Sequence, residues 1–150
     1  MSVESDIIPR DQAKSLEEYI TSFLSTVPPG MVGALVTFTG IVREDVQENA
    51  SGKEDKTASI VIECIEDSAR KAVRKLAREL SNRIGVEKLT IIHFTGNFTV
   101  NETMVHVIGC GAHRKAVFNV VAEAVDRYKR EIPMWKKEIL QSGASRWLHQ

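Results

Sequence analysis

Cysteine is nearly absent from this chain. Only Cys64 and Cys110 occur, in no C-x-x-C pair, and each lies in an apolar run. That excludes a disulfide scaffold and a cysteine zinc site, and predicts two buried free thiols in a reducing cytoplasm. An excess of one charge is absent too. Twenty basic residues offset twenty acidic ones, so no global field directs the chain to nucleic acid or to a membrane surface. Aromatic residues number nine, which argues against the stacking platforms of an RNA-binding domain. No apolar run approaches the ~20 residues a membrane span needs. The opening M-S-V-E-S-D has neither the basic nor the apolar region of a signal peptide. His93 and His106 stand inside apolar runs, without metal-ligand spacing to carboxylates or cysteines. They predict packed or edge residues and no metal site.

What remains is ordinary globular material. Over 150 residues, 43% apolar and 27% charged composition suits one domain, residues 1–150, with a core of its own. Ile7-Ile8 before Pro9 predicts a short strand. Ser15-Leu16-Glu17-Glu18 has capping-box spacing, and Leu16, Tyr19, Ile20, Phe23 and Leu24 mark one helix face before Pro28-Pro29-Gly30. Gly33 to Val42 predicts a buried strand ending at Arg43, where an arginine is placed to meet an anion. The polar stretch 44–57 predicts a mobile surface loop. Ser59 to Ile65 predicts a strand. A helix capped by Asp67 or Ser68 follows, with Ala69, Val73, Leu76, Leu80 and Ile84 inward and a basic wet face, stopped by Gly85. Lys88 to Phe94 predicts a strand, Thr95-Gly96-Asn97 a turn, and Thr103 to Cys110 another strand. A long helix begins near His113, with Val117, Val120, Val121, Ala124 and Tyr128 as its buried stripe. This order, without alternating βαβ units, predicts α+β with a largely antiparallel sheet.

Chemistry concentrates in residues 113–137, where seven basic residues face three acidic ones, a local +4 in a neutral chain. The helix start at His113-Arg114 offers free N–H groups and a positive dipole end, an anion seat. At the other end stands D-R-Y-K-R-E-I-P-M-W-K-K-E, residues 126–138. Pro133 must end or bend the helix. Lys129 then lies before the break and Lys136 beyond it, so the two amines can converge. Clustered cations lower one another's pKa, which would make Lys129 a proton carrier or nucleophile. The alternative is a solvated basic helix end favoured by the helix dipole. About seventeen residues of helix, or ~25 Å, separate His113 from Lys129. One small ligand cannot touch both within one chain, so a shared site predicts a dimer or two sub-sites. Trp147 is expected to close against the body of the fold.

Four pieces together resemble the large, catalytic subunit of molybdopterin synthase: F-T-G-I-V-R at 38–43, H-R-K-A-V-F at 113–118, the 126–138 block, and the Gly-to-Trp tail at 143–147. The resemblance covers about Gly33 to Trp147, and the 126–138 block is its most specific part. It implies an α/β-hammerhead-like fold and no cofactor or metal of the protein's own. It implies sulfur transfer from a thiocarboxylated, ubiquitin-like carrier to cyclic pyranopterin monophosphate, forming the dithiolene of molybdopterin, in a cytoplasmic homodimer within a heterotetramer. By position, it implies Lys129 and Lys136 as catalytic residues. Arg43, His113, Arg114 and Lys137 would bind substrate, and Trp135 with Pro133 would hold the bend. Departures from the family pattern are Ile62 and Ile65 around Glu63-Cys64, Phe94 in place of an arginine, and Asn101 in place of a glycine. A non-catalytic dimeric module that only docks a carrier tail is the alternative.

Overall fold

The computed structural model describes residues 4–148. In chain order the elements are β1 (Asp6–Pro9), α1 (Leu16–Ser25), β2 (Ala34–Ile41), β3 (Val46–Glu48), β4 (Glu54–Cys64), α2 (Glu66–Ser81), β5 (Lys88–Thr99), β6 (Thr103–Gly111), α3 (Arg114–Glu131), β7 (Met134–Leu140) and β8 (Ser145–Leu148). The strands run β2-β6-β5-β4-β7-β8 across one sheet, with β1 added to β5 and β3 to β4. Among the described residues only β1 and β5 pair in parallel. The fold is α+β and mostly antiparallel, as the order of elements predicts.

Alternation along the strands divides the core in two. Ile91 joins Val73, Leu76, Leu80, Val121, Ala124 and Tyr128 beneath α2 and α3. Its neighbour Ile92 joins Tyr19, Phe23 and Phe94 beneath α1. Helix α1 begins as its spacing predicts. Ser15 accepts from the Glu18 N–H, while the Glu18 carboxylate accepts from the Ser15 N–H at 2.8 Å. Helix α2 starts earlier than expected, at Glu66 with Ile65 as its cap and no capping side chain, because β4 runs to Cys64. It also ends earlier, at Ser81, which strands Ile84 beyond the helix at 99% exposure. Its basic face is not only wet. Arg70 Nε donates to Asp6 at 2.7 Å and Arg74 Nε to the Ser5 carbonyl at 3.1 Å, clamping the first strand to the fold.

Three expectations change shape. The β2 segment is not a buried strand. It ends the sheet, paired among the described residues only with β6, and leaves Leu35 and Ile41 exposed. The 44–57 stretch is not an unstructured loop, because Val46–Glu48 pairs with Glu54–Lys56. Asn49 Oδ1 closes that hairpin by accepting from the N–H groups of Ser51 and Lys53. The Thr95-Gly96-Asn97 turn is a bend within β5. Gly96, at φ 122°, lets the strand leave β6 and join β4. Reversal comes later, at Asn101 with φ 73°, a left-handed position that asparagine tolerates among non-glycine residues.

The C-terminal strands complete the sheet beside β4. Glu138 on β7 is 2% exposed and accepts from Thr57 Oγ1 at 2.8 Å, Gln47 Nε2 at 3.2 Å and Arg146 Nε at 2.8 Å. One carboxylate thus ties β3, β4, β7 and β8 together. Trp147 does not close on the core. The β8 register sets it opposite Lys137, on an open face, and it stays 53% exposed.

Candidate functional site

Helix α3 stops where Pro133 requires. Glu131 is its last residue, and Ile132 is extended at φ −92° and ψ 126°, the conformation favoured before proline. The chain passes directly into β7, so the break joins a helix to a strand. Lys129 lies exposed in the last helical turn. Lys136 is half-buried on β7, where Ile62 of β4 is its cross-strand neighbour. Burial, and then the charge of Lys129, push the Lys136 amine down to about 8. The two amines are therefore within electrostatic reach, and the depressed one is Lys136. Roughly a tenth of it is free amine at pH 7.

Against Tyr128, the residue before Lys129, lies a residue whose role is not legible in the sequence. His93 on β5 is completely buried. Its ring meets Tyr128 edge-on at 5.4 Å, and Nδ1 lies 2.9 Å from the Phe94 carbonyl oxygen. Burial, and secondarily the charge of Lys136, push this imidazole down to about 3. The one available signal was a polar residue inside an apolar strand.

The remaining expected residues do not join the pair. Lys137 follows Lys136 on a strand, so their side chains leave opposite faces, and Lys137 Nζ lies 5.4 Å from the Trp147 ring centre. Trp135 shares that face and is exposed, so it is not a core residue. His113 caps α3, and with Arg114 it lines an open depression of about 730 Å³ beside Gly33, Ala34 and Phe118. Close packing shapes its wall: a Cβ on Gly33 would stand 2.3 Å from the Ala112 carbonyl oxygen. With 18 residues, α3 holds His113 about 27 Å from its last turn. Arg43 is exposed and paired with Asp45, Nε to Oδ1 at 2.6 Å. Ala34 pairs with Gly111 beside the α3 start, and β2 then runs eight residues away from it, about 26 Å. Arg43 and the His113-Arg114 pair thus occupy opposite ends of β2.

The family model described as MoaE protein matches residues 10–131. The chain belongs to the MoaE family. Among MoaE relatives, the molybdopterin synthase catalytic subunit of Bos taurus is 31% identical over 117 residues, 78% of this chain. The chain spans only 59% of the length of that curated relative. A MoaE protein from Burkholderia ambifaria superposes with a TM-score of 0.74 at 26% identity, covering 99% of this chain and 89% of that one. A complex of subunits 1 and 2 of molybdopterin-converting factor from Helicobacter pylori superposes at 0.68 and 18% identity, over 96% and 88% of the two chains, a likeness of fold. The MoaE model ends at residue 131, so Lys129 lies inside the matched region and Lys136 beyond it.

Proposed function

We propose that this chain is the catalytic subunit of a molybdopterin synthase, transferring sulfur from a thiocarboxylated carrier to cyclic pyranopterin monophosphate. The observation that carries the reading is the amine pair across Pro133, with the half-buried Lys136 brought down to about 8 by burial and then by the charge of Lys129. A thiocarboxylate and a cyclic phosphate are both anions, so the site must gather negative charge. Lys129 supplies positive charge to the carrier tail. Lys136, the amine more readily freed of its proton, relays protons or traps the acyl carbon as the carbon–sulfur bond breaks. The spacing around Pro133 suggests that proton-carrying role for Lys129; the half-burial of Lys136 favours giving it to Lys136.

The Helicobacter assembly contains a second subunit, which supports a small carrier as partner here. The length of α3 supports a homodimer. His113 and Arg114 of one chain would hold the substrate phosphate against Lys129 and Lys136 of its partner. Two such chains with a carrier each make a heterotetramer. The free thiols at Cys64 and Cys110 suit a reducing, cytoplasmic setting.

The test is to mix the protein with thiocarboxylated carrier and cyclic pyranopterin monophosphate, and to assay dithiolene. Product from wild type, and none from folded Lys129→Ala and Lys136→Ala chains, is the expected result. Carrier binding without any conversion by wild type would replace this reading with a docking module.

A further inference from the structure

On the α1 side of the sheet lies a cavity of about 380 Å³ that the amine pair does not use. Phe94, Phe98 and Leu16 line it, and none of Lys129, Lys136, His113 or Arg114 does. His106 of β6 stands in its wall, 5% exposed. Two rings hold the imidazole: Phe94 edge-on at 5.7 Å and Tyr19 at 6.0 Å. Thr39 Oγ1 lies 2.9 Å from Nδ1 and fixes the ring's orientation. Nε2 has no hydrogen-bond partner among the described residues, and unlike Nε2 of His93 it is not sealed from solvent. Burial pushes this imidazole below its ordinary pKa, so at neutral pH it is uncharged. Its Nε2 is then either a lone pair or a single N–H, and a buried polar group facing a void calls for a partner.

The mouth of the cavity is cationic. Glu102, the one carboxylate in the lining, is answered by Arg10, whose guanidinium also lies 5.4 Å from the Phe98 ring centre. Lys14 is exposed and makes no ion pair among the described residues, so one positive charge is left over. Aromatic walls, one inner polar atom and one outer cation are the layout of a small-ligand pocket.

We propose that this cavity binds a small aromatic acid with a hydroxyl opposite its carboxylate. The ring packs against Phe94 and Phe98, the hydroxyl meets His106 Nε2, and the carboxylate pairs with Lys14 at the mouth. A hydroxyl both donates and accepts, so it complements either tautomer of His106. No residue assigned to sulfur transfer takes part, so the test reads affinity rather than turnover.

The full-length protein, labelled with 15N at histidine, is titrated at neutral pH with 4-hydroxybenzoate, benzoate and 4-hydroxybenzamide in turn. 4-Hydroxybenzoate is expected to bind with a Kd of about 0.1–1 mM, the scale of so small a ligand, and to move the His106 Nε2 resonance as the site fills. Benzoate lacks the hydroxyl and 4-hydroxybenzamide the charge, and each should bind about tenfold more weakly. His106→Phe should bind the two acids equally, and Lys14→Ala should lose the preference for acid over amide. The proposal is overturned by the absence of saturable binding, by an Nε2 resonance that stays put at saturation, by benzoate matching 4-hydroxybenzoate, or by unaltered affinity in Lys14→Ala. If His106→Phe does not fold, the wild-type Nε2 titration decides.

Discussion

Lys136→Ala and Lys137→Ala are expected to behave differently although the residues are adjacent. Loss of the half-buried amine should cut dithiolene formation at least ~100-fold, within the range for a proton-transfer group. Loss of its neighbour, stacked on Trp147, should leave single-turnover rates within ~3-fold of wild type. Where the free amine is required, the rate should rise with pH and level off above about 8, the value to which burial brings Lys136. His93 carries a second pH dependence. Its folded value of about 3 lies below the ordinary 6.5, so its contribution to stability is complete above 6.5 and falls away as pH drops toward 3. Thermal unfolding followed from pH 7 to 5 should fall more steeply for wild type than for His93→Phe. The end of α3 between Lys129 and Lys136 was legible because a proline forces a break there. The opposed faces of Lys136 and Lys137 were not, because M-W-K-K-E-I-L has no apolar–polar alternation to announce a strand.

At the scale of elements, Glu138 holds the C-terminal strands to the 46–56 hairpin through three donors. Glu138→Ala should destabilise the protein by about 3 kcal/mol, since it strands buried donors and Arg146 together. Glu138→Gln, which keeps an acceptor, should cost less, and urea unfolding measures both. That hairpin was hidden in the sequence for the same reason. Its inward residues are polar, with Asp55 and Thr57 buried, so composition suggested a loop. The bend in β5 misled in another way: Thr-Gly-Asn reads as a reversal, whereas Gly96 only redirects the strand from one neighbour to the next. Helices were clearer, because the stripes of α1 and α3 follow the 3.6-residue repeat. In α2 the same repeat was carried one step too far, to Ile84.

For the whole molecule, the question is how cationic residues at opposite ends of α3 serve one substrate. If the site spans two chains, Lys129→Ala and His113→Ala proteins should each be inactive alone. Mixed after co-refolding, they should regain activity, because a mixed dimer holds one site with both residues intact. Activity that stays absent in the mixture would place both residues in the service of a single chain. The α+β class was legible from the succession of elements alone, but not the strand pair closing the sheet. Those strands carry charges without a clean alternation, β7 being specified by its partners on β4 and β8 by its partners on β7.

Strand β7 begins after a proline that fixes where the helix must stop, and it carries at Glu138 a carboxylate committed to the interior. Between these two anchors the number of residues is as constrained as their identity. Adding or removing a single one would exchange odd for even, turning the amine of Lys136 outward or dragging Glu138 into water. This stretch should therefore accept many substitutions and no change of length.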